Sequence, residues 1–194
     1  MSKLTRQDLY SLEEYSEMRD DYRKKLMAHK KNRRLELGDH ILLSFEDKLI
    51  MQYQIQEMLK AEKIFEADAI EEELETYNPL IPDGSNWKAT MLIQYPDVEE
   101  RQHQLGLLIG IEDLIWMQIE GHDKIYAIAD EDLERSNDVK TSAVHFMRFE
   151  LDTDMVNAAK SGAAISAGVE HKYYQSIINP IADNLRDSLT GDLA

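Results

Sequence analysis

Three residues of this chain are suited to proton transfer and stand in unusual company. Glu62 is the first. With Met51 at zero and 100° per residue along a helix, Met51, Ile55, Met58 and Phe65 fall within about 40° of one line. Glu62 falls in the same apolar stripe, while Gln56 and Lys60 point away and Glu57 lies far to the side. A carboxylate in such a stripe must be paired, protonated or at an edge that reaches water. His145 and Arg148 share the segment "TSAVHFMRFEL". Alternation along a strand puts His145 on one face with Ala143, Met147, Phe149 and Leu151, and Arg148 on the other with Val144, Phe146 and Glu150. Glu62, His145 and Arg148 in one cleft could serve general acid–base catalysis. The plainer reading is a buried polar network that sets the register of helices on a sheet. Glu62, His145 and His171 could also supply carboxylate and imidazole ligands to a metal ion. No other cofactor is expected.

The elements that must position these residues follow from the pattern around them. The stretch 51–97 reads as helix, break, helix, Pro-bracketed loop and strand. Asp68 with Glu71 has capping-box spacing, Ile70, Leu74 and Tyr77 form a buried seam, and Pro79 ends the second helix. Upstream, Thr5 with Asp8 resembles a capped start for a helix running to about residue 34. Its acids come first and its bases last, as the helix dipole favours. Lys30, Lys31, Arg33 and Arg34 are then either a solvated helix end or a docking patch for an acidic partner.

"RRLELGDHILLSFED" predicts a β-hairpin, 88–95 a strand stopped by Pro96, and Asp97 with Glu100 a capped helix. A second hairpin spans 114–129 around Gly121, and the charged segment 130–140 reads as a mobile loop. After 141–151, Thr153 caps a short helix, a last strand covers 163–169, and Asn179 with Pro180 opens a C-terminal helix whose seam is Ile181, Leu185 and Leu189. The expected fold is α+β: a mostly antiparallel sheet of six or seven strands with a long N-terminal helix and a helix pair packed on it. The expected organisation is one domain in three parts, a basic-ended helix over 1–34, an α+β core over 35–172 and a helical segment over 173–194.

Composition narrows the function. The 194 residues include no cysteine, which excludes disulfides and any iron–sulfur cluster held by the chain's own thiolates. The net charge of −16 argues against nonspecific nucleic-acid binding. The charge is uneven: residues 1–34 carry ten Lys or Arg against six Asp or Glu. No apolar run suits a membrane span and no signal peptide opens the chain, so a cytoplasmic protein without membrane insertion is expected. No G-x-S-x-G, phosphate-loop, dinucleotide or H-E-x-x-H motif occurs.

Several separate motifs carry a family resemblance: "LTRQDLYSLEEY", "QIQEMLKAEKIFEADAIEEELETYNPLIP" followed by "ATMLI", "SAVHFMRFEL" and "AGVEH". In this order they resemble the bacterial proteins catalogued as domain of unknown function 3501. The matching positions are Gln56, Glu57, Glu62, Tyr77, Asn78, His145, Arg148 and His171, of which Glu57, Tyr77, Asn78 and His171 become candidate binding residues. The chain departs from the family at Glu170, where Asp is frequent, and at Lys172, where Pro is frequent. The resemblance implies genes encoded beside a rubrerythrin and a heterodisulfide-reductase-like iron–sulfur protein. The expected role is an accessory or interaction protein of such a redox or peroxide-stress system, with one of those two proteins as partner. The alternatives are a metal-dependent or acid–base enzyme built on Glu62, His145 and Arg148, and a homo-oligomeric scaffold such as a homodimer.

Overall fold

A computed structural model describes residues 3–133 and 135–194. It is an α+β protein, with nine strands among the described residues divided between two antiparallel sheets. The division into two sheets, where a single sheet of six or seven strands was expected, comes from pairings between segments distant in sequence.

The N-terminal segment starts with a single tight turn. Thr5 and Asp8 do form a capping box, but it closes only the 3-10 turn Arg6–Asp8. The long helix α1 (Leu12–Lys30) begins at a second box formed by Ser11 and Glu14. The hairpin of β1 (Arg34–Leu37) and β2 (Ile41–Glu46) follows. Its turn needs Gly38, which sits at φ +68°, and a Cβ there would lie 2.6 Å from Tyr174 Oη. That hydroxyl donates to Leu37 O at 2.7 Å and accepts from His40 N at 3.0 Å.

Helix α2 (Lys48–Glu62) starts on an Asp47 cap and stops where Lys63 turns left-handed at φ 56°. Helix α3 (Ala67–Tyr77) begins one residue before Asp68, which therefore lies in its first turn and does not cap it. A 3-10 turn at Asn78–Leu80 leads to β3 (Asn86–Ile93). Helix α4 (Val98–Leu107) is capped by Asp97, as its spacing predicts.

β4 (Ile115–Ile119) and β5 (Lys124–Tyr126) form the second hairpin, but the strand after Gly121 does not run on to residue 129 in one sheet. Ala127 N still bonds Ile115 O at 2.9 Å, and β6 (Ile128–Ala129) then crosses to the other sheet and pairs with β7 (Val144–Glu150). Helix α5 (Thr153–Lys160) is capped by Asp152, not by Thr153. β8 (Ile165–His171) and β9 (Tyr174–Ile178) complete the strands. The expected helix start at Asn179–Pro180 lies ahead of α6 (Asp183–Thr190).

The first sheet runs β1-β2-β3-β7-β6 and the second β5-β4-β8-β9. Their inner faces make one core, including Phe45, Trp87, Met91, Phe149, Ile165 and Val169, with Leu105 of α4 and Leu185 and Leu189 of α6 beside it. A separate core, Leu26, Ile50, Met51, Ile55, Leu59, Ile70 and Leu74, joins α1, α2 and α3. Residues 3–11 lie over it as a strap, with Leu4 buried there. On the second sheet Trp116 lies over Gly168, where any Cβ would come within 2.5 Å of the indole. The expected three parts thus grade into one another: 173–194 contributes a strand as well as α6, and 48–77 shares its core with the N-terminal helix.

Candidate functional site on strand β7

Strand β7 alternates, so its two faces meet different surroundings. His145 faces inward and is 0% exposed. Its Nδ1 lies 2.6 Å from Asp130 Oδ2. Asp130 adopts φ +52°, a left-handed geometry that Asp tolerates. There its N–H donates to Phe146 O at 2.8 Å, and its Oδ1 accepts from Phe146 N at 3.0 Å. On the other side of the ring, Nε2 lies 3.0 Å from Ser142 O and 2.9 Å from Thr141 Oγ1. The Thr141 hydroxyl donates to Glu112 Oε2 at 3.1 Å, and Ser136 Oγ donates to Glu112 Oε1. Asp130, His145, Thr141 and Glu112 form a continuous chain at the rim of the inter-sheet core. Burial and the charges of Glu112 and Asp130 push the neighbouring Asp113 carboxyl above its usual range.

An acid–imidazole–hydroxyl series is the arrangement of a nucleophile triad. Here the hydroxyl is spent on a second acid, and Thr141 is buried, so no substrate atom can approach it. The series instead ties the described residues of the segment around Asp130, Ser136 and Thr141 to the sheet. That segment, expected to be mobile, is held by Asp130 on His145, Glu131 on Arg148, Ser136 on Glu112 and Thr141 N on Leu105 O.

The outer face of β7 carries Phe146 and Arg148. Arg148 makes a two-pronged pair with Glu131, Nε to Oε2 at 2.8 Å and Nη2 to Oε1 at 2.7 Å, and its Nη1 bonds Glu150. Arg135 lies over the Phe146 ring at 4.7 Å. Between this face and the end of α3 is a cleft of about 510 Å³ walled by Tyr77, Pro79, Leu80 and Phe146. Lys88 of β3, directly opposite Arg148 in register, also lines it, together with Arg148, Glu131 and Asp132. Burial, and next the Arg148 charge, lowers the Lys88 ammonium below the ordinary lysine range. Among the described residues no hydrogen bond or ion pair reaches Lys88 Nζ; Glu131, Asp83 and Glu150 act on it only through their charge.

The other expected site residues lie elsewhere. Glu62 is exposed at the last turn of α2, and the acid whose carboxyl responds to its charge is Glu73. The apolar stripe that includes it runs past the end of the helix, and Phe65, its last apolar member, is 68% exposed. Glu62 therefore does not join His145 and Arg148, and those two face opposite sides of the sheet. His171 is buried, takes a bond from Tyr173 N at 3.3 Å on Nδ1, and is held below the usual imidazole range by burial. It is near Glu112 and not Glu62, and no group of three or more acids and imidazoles among the described residues is arranged to hold a metal ion. Of the basic patch, Arg33 is 2% exposed and pairs Asp192 and Asp47, so it cannot dock a partner; Lys31 and Arg34 are exposed and Lys30 is half-buried.

Glu57, Gln56 and Asn78 bind the chain's own N-terminal strap. Gln56 is 0% exposed, because it accepts from Tyr10 N at 2.6 Å and donates to Tyr10 O at 3.3 Å. Asn78 does the same for Leu4, at 2.7 and 3.0 Å. Glu57 accepts from Tyr15 Oη at 2.7 Å and takes a two-pronged pair from Arg19, both at 2.7 Å. The Arg19 bond holds its carboxyl down at about 2.

Lys88, Glu131, Asp130, Thr141 and Glu112 were not singled out in the sequence. For Lys88 a signal was present: it starts the same strand face as Thr90 and Leu92. The three acid and hydroxyl partners of β7 gave none, because their pairing depends on the crossover through β6.

The fold and the cleft define a two-sheet α+β protein with a strapped helical layer and a surface pocket. The chain belongs to the family described as protein of unknown function (DUF3501), whose model matches residues 3–193. A solved structure from Burkholderia pseudomallei K96243, titled a novel protein of unknown function, is 46% identical over 100% of both chains, with a TM-score of 0.92. No curated protein matches. No helix among the described residues is long and apolar enough to cross a membrane.

Proposed function

We propose that this chain is a small-molecule binding module, and that the cleft between α3 and the outer face of β7 takes an apolar molecule with one oxygen-bearing head group. The observation that carries this reading is Lys88: a half-buried ammonium with no hydrogen-bond or ion-pair partner among the described residues, lining a mostly apolar cleft. Such a group is costly unless something pairs with it, and apolar walls with a few convergent polar groups are the usual form of a ligand site. Tyr77 and Leu80 would contact the apolar body, and Lys88 the head. Arg148, already held by Glu131 and Glu150, would set the local charge without turning to the ligand.

Titration with a fluorescent fatty carboxylate at low ionic strength tests this. Wild type should bind saturably, and Lys88→Met should weaken binding at least about tenfold, the equivalent of one lost charged contact. Equal binding by both proteins, or none by wild type, defeats the reading.

A module with no redox group of its own also suits the accessory role beside a rubrerythrin or iron–sulfur protein that the family resemblance implies. The exposed Met27 with Arg23 and Lys24 on α1, and Lys31 in the turn that follows, is the surface that favours docking. Salt-sensitive co-purification with a redox protein from the native cell would support that role, and its absence at low ionic strength would remove it.

A further inference from the structure

We propose that Lys88 is a nucleophilic amine and that the cleft takes apolar aldehydes or ketones, which Lys88 holds reversibly as an imine. The inference rests on the cleft being a ligand site, and it adds a covalent step and a ligand class to that reading.

Three observations converge on it. The amine is accessible from an apolar cleft whose walls include Tyr77, Leu80 and Phe146, which would orient a hydrocarbon chain with its head toward β3. Lys88 Nζ is not engaged by any hydrogen bond or ion pair among the described residues, so no contact must break before it reacts. The guanidinium of Arg148 stands opposite it in register, and partial burial adds to the cost of a second positive charge there. Desolvation in an apolar pocket and a neighbouring cation both shift a lysine toward its nucleophilic, unprotonated form, so that the amine is reached more readily than in an exposed lysine. Glu131, the acid that could have neutralised Lys88, is drawn onto Arg148 by two bonds.

The step balances without a redox partner. The neutral Lys88 amine adds its lone pair to the carbonyl carbon; the carbonyl π pair moves to oxygen, which gains a proton as the nitrogen loses one. The resulting carbinolamine takes a proton from water on its hydroxyl, which leaves as water while the nitrogen lone pair forms the C=N bond; the protonated imine then returns its N–H proton to water. Hydrolysis reverses the sequence and releases the carbonyl compound.

Hexanal with sodium cyanoborohydride, which delivers hydride to an imine, converts the adduct to a stable secondary amine. The intact protein is labelled at neutral pH with limiting aldehyde, and the modified lysines are mapped by peptide mass spectrometry. Lys88 should be alkylated at least about tenfold faster than the exposed Lys31 and Lys63, as positioning in a cleft and a more readily deprotonated amine together would give. Hexanoate, which has the same chain but no reactive carbonyl, should slow labelling at Lys88 and not at Lys31. Lys88→Arg keeps the cation and should lose the fast site while retaining binding of the fluorescent carboxylate. Labelling of Lys88 no faster than Lys31 overturns the inference, and if the fluorescent carboxylate still binds, the cleft reading survives it. Fast labelling of Lys88 that hexanoate does not slow also overturns it, because the reactivity would not come from the cleft.

Discussion

Asp130 and Glu131 are adjacent in the chain and grip opposite faces of one strand. Asp130 turns inward to His145 Nδ1 at 2.6 Å, and Glu131 turns outward to Arg148 with bonds of 2.8 and 2.7 Å. This pair ties the buried core rim to the rim of the cleft through a single segment. Because Glu131 occupies Arg148, Lys88 is left as the free cation of the cleft among the described residues.

The two acids should therefore separate in their effects. Asp130→Ala leaves a buried imidazole without its carboxylate and should cost about 3 kcal/mol in urea unfolding. Glu131→Ala removes a half-exposed pair and should cost under about 1 kcal/mol. It should nevertheless alter ligand affinity at the cleft, since Arg148 is released toward Lys88. Equal stability losses would contradict the division of roles.

Glu62→Leu should change stability by less than about 0.5 kcal/mol, as expected for an exposed side chain with no hydrogen bond or ion pair among the described residues. A loss of several kcal/mol would mean that the carboxylate anchors a cation after all. The sequence suggested burial here because helical periodicity was carried beyond the residue where the helix ends. Lys63 turns left-handed, and no helical angle counted from Met51 applies to Phe65.

The strap gives a third test. Gln56→Ala removes two bonds to Tyr10 at a fully buried position and should cost about 2–3 kcal/mol. Limited proteolysis should then cut within residues 3–11 first. Two of the motifs behind the family resemblance are thus each other's partners: Leu4 and Tyr10 belong to one, Asn78 and Gln56 to the other. This was not legible in a helical projection, which turned Gln56 to solvent because it had no place for a strap on that side of α2.

Two carboxyls should give opposite pH dependences. Glu57 is held at about 2 in the folded protein against an ordinary 4.5, chiefly by its bond to Arg19. Its contribution is present above pH 4.5 and is lost as pH falls toward 2. Glu57→Gln should thus cost about 1–2 kcal/mol at pH 7, allowing for solvent screening, and nearly nothing at pH 2. Asp192 is pushed up to about 6 from 3.8, chiefly by burial that Arg33 only partly offsets. Its folded form binds the extra proton, so its contribution is largest below 3.8 and declines as pH rises through 6. The stability of wild type relative to Asp192→Asn should fall by about 2–3 kcal/mol between pH 4 and pH 7. Denaturant unfolding at pH 2, 4 and 7 measures both.

Local patterns gave the α+β class, the helix pair, the β1–β2 hairpin and the inward placement of His145 among apolar neighbours. They did not give the second sheet. The pairing of β4 with β8 and of β6 with β7 joins segments distant in sequence, and no local period encodes such a partner. The candidate site was lost for the same reason. Arg148 was visible as a charge on a strand, but Lys88 acquires its meaning only once β3 lies beside β7 with Glu131 drawn to Arg148.

Amide chemical-shift mapping with hexanoate tests the central claim most directly. The cleft account predicts saturable shifts concentrated at Tyr77, Leu80, Lys88, Phe146 and Arg148, absent from the strap around Tyr10 and Gln56, and needing at least about tenfold more hexanoate in Lys88→Met. Shifts centred on the strap, or shifts that persist unchanged in Lys88→Met, would contradict it.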